Sequence, residues 1–265
     1  MELTKKLAVI TGASSGLGTV FAQRLSARGY RVLLVARRAD RLDVLRQTLG
    51  EAAEIYPCDL ADPTETEQLA LLLRQRGDVA LLVNNAGFGT QGKFHETDYG
   101  RQMDMVQVHV LATMRLTRAV LPAMIQAGAG AIINVSSVAA YFRSAGNVSY
   151  CATKGWMNDF TEGLRIELDA LRSPVVVQAL CPGFTYTEFH DTMGVDRARI
   201  PRWLWMPAEY VVNQSLDALQ SGKLFVIPNW KYRLATVFSS RLPSSWRLAL
   251  EKSSPHRRDL SGGQR

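Results

Sequence analysis

The chain has 265 residues, 47% hydrophobic and 21% charged, an ordinary globular balance with length enough for a well-buried core. Its net charge of +7 belongs to one end: residues 1–222 carry 22 Lys/Arg against 22 Asp/Glu, whereas residues 223–265 carry 9 against 2. A nucleic-acid enzyme would spread basic residues along its groove, so the balanced body argues against that class and makes the excess a local property of the C-terminal segment.

Met1–Lys6 is polar and basic, and the apolar run behind it, Leu7–Ile10, has the length of a strand and not of a signal core. No run approaches the roughly 18 to 20 apolar residues of a membrane span. A soluble, cytoplasmic protein is expected. Cys58, Cys151 and Cys181 cannot pair evenly and show no metal-ligand spacing, so they are expected to be reduced and at least partly buried, with no metal site.

Leu7–Ile10 opens a series of β-rich runs that continues with Arg31–Ala36, Ala53–Tyr56, Val79–Val83, Ala131–Val135, Val175–Leu180 and Leu224–Ile227. Most intervals between them are long enough for a crossover helix, and near-continuous Val/Ile/Leu runs suit strands covered on both faces. The expected architecture is α/β: a doubly wound parallel Rossmann sheet of about seven strands, in a single domain over residues 1–252. Within it, residues 184–207 are rich in aromatic side chains between Pro182 and Pro207 and are expected to form a lid. Residues 229–252 form a basic, apolar extension in which Pro243 separates two short helical segments. Residues 253–265 are polar and expected to be disordered.

Directly after the first strand comes Thr11-Gly12-Ala13-Ser14-Ser15-Gly16-Leu17-Gly18, opening into a helical pattern. Glycines at such a turn let the backbone approach a pyrophosphate, and the helix N-terminus offers free N–H groups and the positive end of its dipole. Gly12, Ser14, Ser15, Gly16, Leu17 and Gly18 are the candidate cradle. The spacing is not G-x-G-x-x-G, so a plain strand-to-helix turn stands as the alternative on this feature alone.

Further features join it in order along the chain: Asn84-Asn85-Ala86-Gly87 after the fourth strand, Tyr150-x-x-x-Lys154, and Pro182-Gly183 followed by Thr185 and Thr187. Together these motifs resemble the short-chain dehydrogenase/reductase family from about Leu7 to Ile227. The resemblance implies a dinucleotide held by the glycine turn, by Asp59 and Leu60 at the adenine, by Asn85, Ala86 and Gly87, and by the turn of Pro182, Gly183, Thr185 and Thr187 at the nicotinamide. It also implies that Tyr150 is the acid/base, and that Lys154, on the same helix face at i+4, holds the cofactor ribose. An ammonium beside the phenol is expected to lower its pKa from the ordinary value near 10. Ser137, 13 residues before Tyr150, matches the substrate-positioning serine, while Ser136 should point to the other side of the strand.

Where the family has a relay asparagine, this sequence has His109. Histidine can donate and accept, so His109 is carried as a fourth catalytic candidate, with a structural role as its alternative. The second strand ends in Arg37-Arg38, where a preference for NAD would call for a carboxylate on the ribose 2′-OH. Two guanidinium forks suit a 2′-phosphate instead, so NADP(H) is the expected cofactor; a solvated helix flank is the alternative.

The expected function is an NADP(H)-dependent oxidoreductase that reduces an apolar ketone, aldehyde or 3-oxoacyl group, or oxidises the matching alcohol. A catalytically weak NADP-binding protein and an enzyme docked to a membrane by its basic C-terminal segment are the alternatives. Membrane association is not favoured, because Pro243 divides that segment; it is expected to pack on the body or on a partner subunit. The resemblance implies a homodimer or homotetramer.

Overall fold

The computed structural model describes residues 6–189, 197 and 200–252, the side chains of 250–252 excepted. The expected disorder of 253–265, and Met193 and Arg199 of the lid, lie outside the described residues. Seven strands form one parallel sheet: β1 (Leu7–Thr11), β2 (Arg31–Ala36), β3 (Ala53–Pro57), β4 (Val79–Asn84), β5 (Ala131–Val135), β6 (Val176–Leu180) and β7 (Phe225–Val226). Their order is β3-β2-β1-β4-β5-β6-β7, with every pair parallel. The chain runs outward from β1 to β3, then returns to place β4 beside β1. The crevice of a doubly wound sheet lies where that reversal occurs.

Alternation along the strands divides the core in two. Ala8 and Ile10 face one side with Phe21 and Leu25 of α1 (Gly16–Ala27), Leu42 and Leu45 of α2 (Ala39–Leu49), and Val211, Val212 and Leu216 of α7 (Ala208–Leu219). Leu7 and Val9 face the other with Leu69 and Leu73 of α3 (Pro63–Gln75), Leu116, Val120 and Met124 of α5 (Thr113–Ala127), and Leu168 of α6 (Val148–Ala170). The inner strands β1, β2, β4, β5 and β6 are therefore buried on both faces, which is why their sequences read as near-continuous apolar runs, whereas β3 at the sheet edge is only partly buried. Helix ends follow local chemistry. Asp62 caps α3 by accepting from Thr64 and Glu65 N–H, with Pro63 behind it, and α5 stops at Gly128 in the left-handed conformation.

α4 (Tyr99–Val106) runs into α5 through one π-helical turn, Gln107–Ala112, to make a continuous helix of 29 residues. By length and composition this helix could cross a membrane, contrary to the expectation that no run approaches a span. Half of its most apolar stretch is instead buried in the protein, so its apolarity is that of a core helix lying on a sheet.

A buried polar ladder fixes the helices against the strand ends. Asn84 donates to Asn134 Oδ1 at 2.9 Å and to Thr117 of α5 at 3.2 Å, and Asn134 donates to Thr161 of α6 at 2.9 Å. Each amide is satisfied, so the ladder specifies register at little cost.

After β7 come α8 (Trp230–Arg241) and α9 (Ser244–Lys252), divided at Pro243 as the sequence indicated. The expectation that this segment packs on the body holds for one face only. Tyr232, Thr236 and Ser239 of α8 are buried, but Trp230, Leu234 and Phe238 on the opposite face are exposed, because a single helix lying on a surface covers only one of its sides. The Tyr232 ring packs against Gly183: a β-carbon added there would come within 2.2 Å of it. Replacing Gly183 with Ala is expected to lower stability by about 1–3 kcal/mol through that overlap. Thermal or urea denaturation measures this, and an unchanged midpoint would mean that the α8 contact is not formed in solution.

Candidate active site

Past β1 the chain turns through Gly12 and Gly16, both at positive φ, into α1. Thr11 Oγ1 accepts from Asn85 and Ala86 N–H at 2.9 and 3.0 Å, and the Asn85 amide donates to Thr11 O at 2.8 Å. This draws the loop after β4 onto the glycine loop so closely that a β-carbon at Gly12 would sit 2.8 Å from Asn85 Nδ2 and 2.9 Å from Ala86 Cα, and one at Gly18 2.7 Å from Asn85 Nδ2. Gly18 and the Asn85 amide thus work behind the cradle and not at its surface. Ser15, the N-cap of α1, makes no side-chain cap, and the first turn of α1 carries no acid. Its N–H groups are left for an anion.

The cradle opens into a cleft of about 1610 Å³, larger than a single drug-sized pocket, with room for a dinucleotide and a substrate together. Of the candidates, Gly12, Ser14, Ser15, Gly16, Leu17, Arg37, Arg38, Asp59, Leu60, Asn85, Ala86, Gly87, Pro182, Gly183, Thr185 and Thr187 line it, with Ser137, Tyr150 and Lys154. Gly18 and His109 do not. Arg38 Nε and Nη2 reach Ser14 Oγ at 3.2 and 3.1 Å, so its guanidinium is fixed beside the glycine loop, while Arg37 lies 3.7 Å from Asp59 and is mostly exposed. A positive-φ loop without room for β-carbons, an uncapped helix end and a held guanidinium together fit a phosphorylated dinucleotide.

Ser137 follows β5, and Tyr150 and Lys154 share a face of α6. Ser136 points the other way, its hydroxyl donating to Lys154 O at 2.9 Å. The expected lowering of the Tyr150 pKa is not found. Burial pushes the phenol up to about 12, and a hydrogen bond with Ser137 only partly opposes this. Lys154 is buried and pushed down to about 7 by the same cause. Its Nζ donates to Val135 O at 2.8 Å and lies 5.9 Å from the Tyr150 ring centroid. Desolvation thus disfavours the charged form of both groups.

His109, in the π-helical turn, is fully buried. Its Nε2 accepts from Phe88 N–H at 3.1 Å, which places the ring proton on Nδ1, 2.9 Å from Thr153 Oγ1; that hydroxyl donates to Tyr150 O at 3.1 Å. Burial and the neighbouring Lys154 hold its pKa well below the usual histidine value. Both ring nitrogens are engaged and the ring stays neutral, so this geometry makes His109 a strut joining the Asn85–Phe88 loop to the backbone of Tyr150. Such a positioning role is the structural alternative to the catalytic candidacy given by its alignment. A single mid-helix histidine gives no sequence signal of such a bridge.

The lid is tied at its base. Thr185 bridges to Met206, Tyr186 stacks on Trp205 at 5.0 Å, and Arg197 donates to Thr187 O at 2.9 Å while lying 5.5 Å from the Trp205 ring centroid. Phe189 and Ile200 reach the cleft, Phe189 at 5.8 Å from the Tyr150 ring. Two participants escaped the sequence reading. Tyr232, counted there only as tail, accepts from Phe184 N–H at 3.2 Å and donates to Leu204 O at 3.0 Å, buttressing the Pro182–Gly183 turn. Glu188 meets Arg41 at 2.9 Å and Arg38 at 3.5 Å across the cleft. Cys181 is buried, contacts Asn158 Oδ1 at 3.4 Å, and has its thiol pushed up to about 12, in keeping with packing.

His109→Asn, whose amide can accept from Phe88 and donate to Thr153, is expected to stay active; His109→Ala should lose activity. The wild-type rate should show no histidine step near pH 6.5. Because the folded pKa lies below the unfolded one, stability contributed by the neutral ring is present above about 6.5 and lost as pH falls below it. Steady-state profiles and pH-dependent denaturation measure both; full activity in the alanine variant would remove His109 from the site's support.

The profile of the short chain dehydrogenase family matches residues 6–197. An oxidoreductase of Staphylococcus saprophyticus is 35% identical over 188 residues, covering 70% of this chain and 76% of its own. Nodulation protein G of Rhizobium meliloti is 36% identical over 196 residues, covering 72% and 78%. Among solved structures, a short-chain dehydrogenase of Sphingobium yanoikuyae in complex with NADPH superimposes with a TM-score of 0.80 at 31% identity, over 98% of this chain and 96% of its own. The bulky-bulky ketone specific alcohol dehydrogenase of Comamonas testosteroni gives 0.75 at 28% identity, over 98% and 95%. A Burkholderia phymatum relative in complex with NAD gives 0.78 at 25% identity, over 89% and 93%. With its doubly wound sheet, its glycine loop on Asn85 and its Ser137, Tyr150 and Lys154 in one cleft, this chain belongs to the short-chain dehydrogenase/reductase family of oxidoreductases.

Proposed function

We propose that this enzyme is an NADP(H)-dependent reductase of an apolar ketone, aldehyde or 3-oxoacyl group, able to oxidise the matching alcohol, with Tyr150 as its acid/base. The observation that carries the reading is one cleft with Ser137 and Tyr150 at one end and Arg38 on Ser14 at the other. Bound NADPH supplies the hydride. Ser137 is placed to donate a hydrogen bond to the carbonyl oxygen, and Tyr150 to hand that oxygen its proton, leaving a phenolate that Ser137 and a protonated Lys154 stabilise. Burial keeps the proton on the Tyr150 phenol at neutral pH, so the group is ready to act as the acid of the reduction.

Phe88, Phe142, Phe184, Phe189 and Ile200 line the cleft and favour an apolar substrate. The NADPH complex of the Sphingobium relative and the ketone specificity of the Comamonas relative accord with this reading. Met103, Leu111 and Met114, exposed on the long helix, support a homo-oligomer.

Tyr150→Phe should leave NADPH binding intact and reduce turnover by about 10²- to 10⁴-fold, read by fluorescence titration and NADPH consumption over a carbonyl panel. Near-normal turnover would remove Tyr150 from the proton transfer. In the wild type, alcohol oxidation should rise with pH as the phenol ionises.

Unmodified enzyme should show a higher kcat/KM with NADPH than with NADH. Arg37→Asp with Arg38→Ala should lower the NADPH value by about tenfold to a hundredfold, the loss of a charge-assisted contact of about 1.5–3 kcal/mol. Equal values for the two cofactors in the unmodified enzyme would overturn the assignment.

A further inference from the structure

Arg38 is not free to wait for a phosphate. Its guanidinium stands between two internal partners: Ser14 of the glycine loop, at 3.1 and 3.2 Å, and the Glu188 carboxylate, at 3.5 Å. The same carboxylate takes Arg41 Nη1 at 2.9 Å on both of its oxygens, and these arginines hold its pKa below the ordinary glutamate range. Glu188 lines the cleft; Arg41, in the first turn of α2, does not. Thr187, the residue before Glu188, packs over Gly16, where a β-carbon would lie 3.2 Å from Thr187 Cβ. The start of the lid is thus laid across the cofactor loop, with a negative charge set on the arginine that the NADP(H) reading assigns to the 2′-phosphate.

We propose that Glu188 is a specificity-determining residue: an internal carboxylate that competes with the cofactor 2′-phosphate for Arg38 and so limits the enzyme's preference for NADP(H) over NAD(H). The proposal rests on the NADP(H) reading for its direction. A 2′-hydroxyl can accept or donate beside Glu188 without charge repulsion, whereas a 2′-phosphate brings up to two negative charges against one already in place. Arg41 tempers the effect by holding the carboxylate on the α2 side. All three side chains keep contact with water, so the competition is screened by salt and modest in size.

The test compares 2′,5′-ADP with 5′-AMP, fragments that differ by the 2′-phosphate alone, binding by calorimetry to the full-length protein and to Glu188→Gln. The amide keeps the size of the side chain and can still accept from Arg41. Relative to wild type, Glu188→Gln should raise the ratio of 2′,5′-ADP to 5′-AMP affinity by about threefold to tenfold, and the gain should shrink at high salt. A wild type that favours 2′,5′-ADP while the variant's ratio is unchanged or lower overturns the proposal and leaves the NADP(H) reading standing. A wild type without preference and a variant that acquires one overturns that reading and supports the competition. No preference in either protein overturns both. Matching melting temperatures of the two proteins exclude a folding effect.

Discussion

The site depends on one close approach, that of the loop after β1 to the loop after β4. Thr11 Oγ1 receives two backbone N–H groups from the second loop, and the Asn85 amide returns a bond to the first. Contact at this distance is open only to glycine at the facing positions. From it follow the aim of the α1 N-terminus into the crevice and the position of Gly87, where a β-carbon would meet His109 Nε2 at 2.6 Å and Lys154 Nζ at 3.5 Å. The sheet reversal opens a crevice beyond the C-terminal ends of the paired strands β1 and β4, and this contact closes the floor of that crevice while leaving its mouth open.

Burial decides the electrostatics at the reacting end. Tyr150, Lys154 and His109 form a line of titratable groups, and each has its charged form disfavoured by desolvation before any neighbour is counted. The resting protein therefore stores its proton on the phenol. His109 adds no second titration, because both of its nitrogens are spent on structure.

Local pattern and tertiary contact were legible to very different degrees. The strands were readable because burial on both faces forces continuous apolar runs, and their ends agree within a residue or two. The cradle and the Tyr150–Lys154 pair were readable because short spacings fix them on one turn or one helix face, while Ser137 and the roles given to the pair came from the family resemblance. The fold, and with it the family, was therefore in the sequence. The tuning of the site was not. Glu188 and Arg41 stand 147 positions apart, and Tyr232 and Phe184 are 48 apart, distances over which no periodicity carries information. The direction of the Tyr150 shift was missed for a related reason: spacing shows that an ammonium is near, but not that both groups lie out of water or that the amine turns to Val135 O.

The tie between Tyr232 and the Pro182–Gly183 turn bears on the order in which the protein is made. Folding during synthesis proceeds from the N-terminus, and the sheet can assemble through β6 with the glycine loop, Ser137, Tyr150 and Lys154 in place. The turn that completes the cleft still lacks the ring pressed against it and the hydroxyl that joins Phe184 to Leu204. Those arrive with α8, in the last fifth of the chain. An enzyme clipped before α8 would thus keep Ser137, Tyr150 and Lys154 while lacking the contact that holds the substrate end of the cleft in shape.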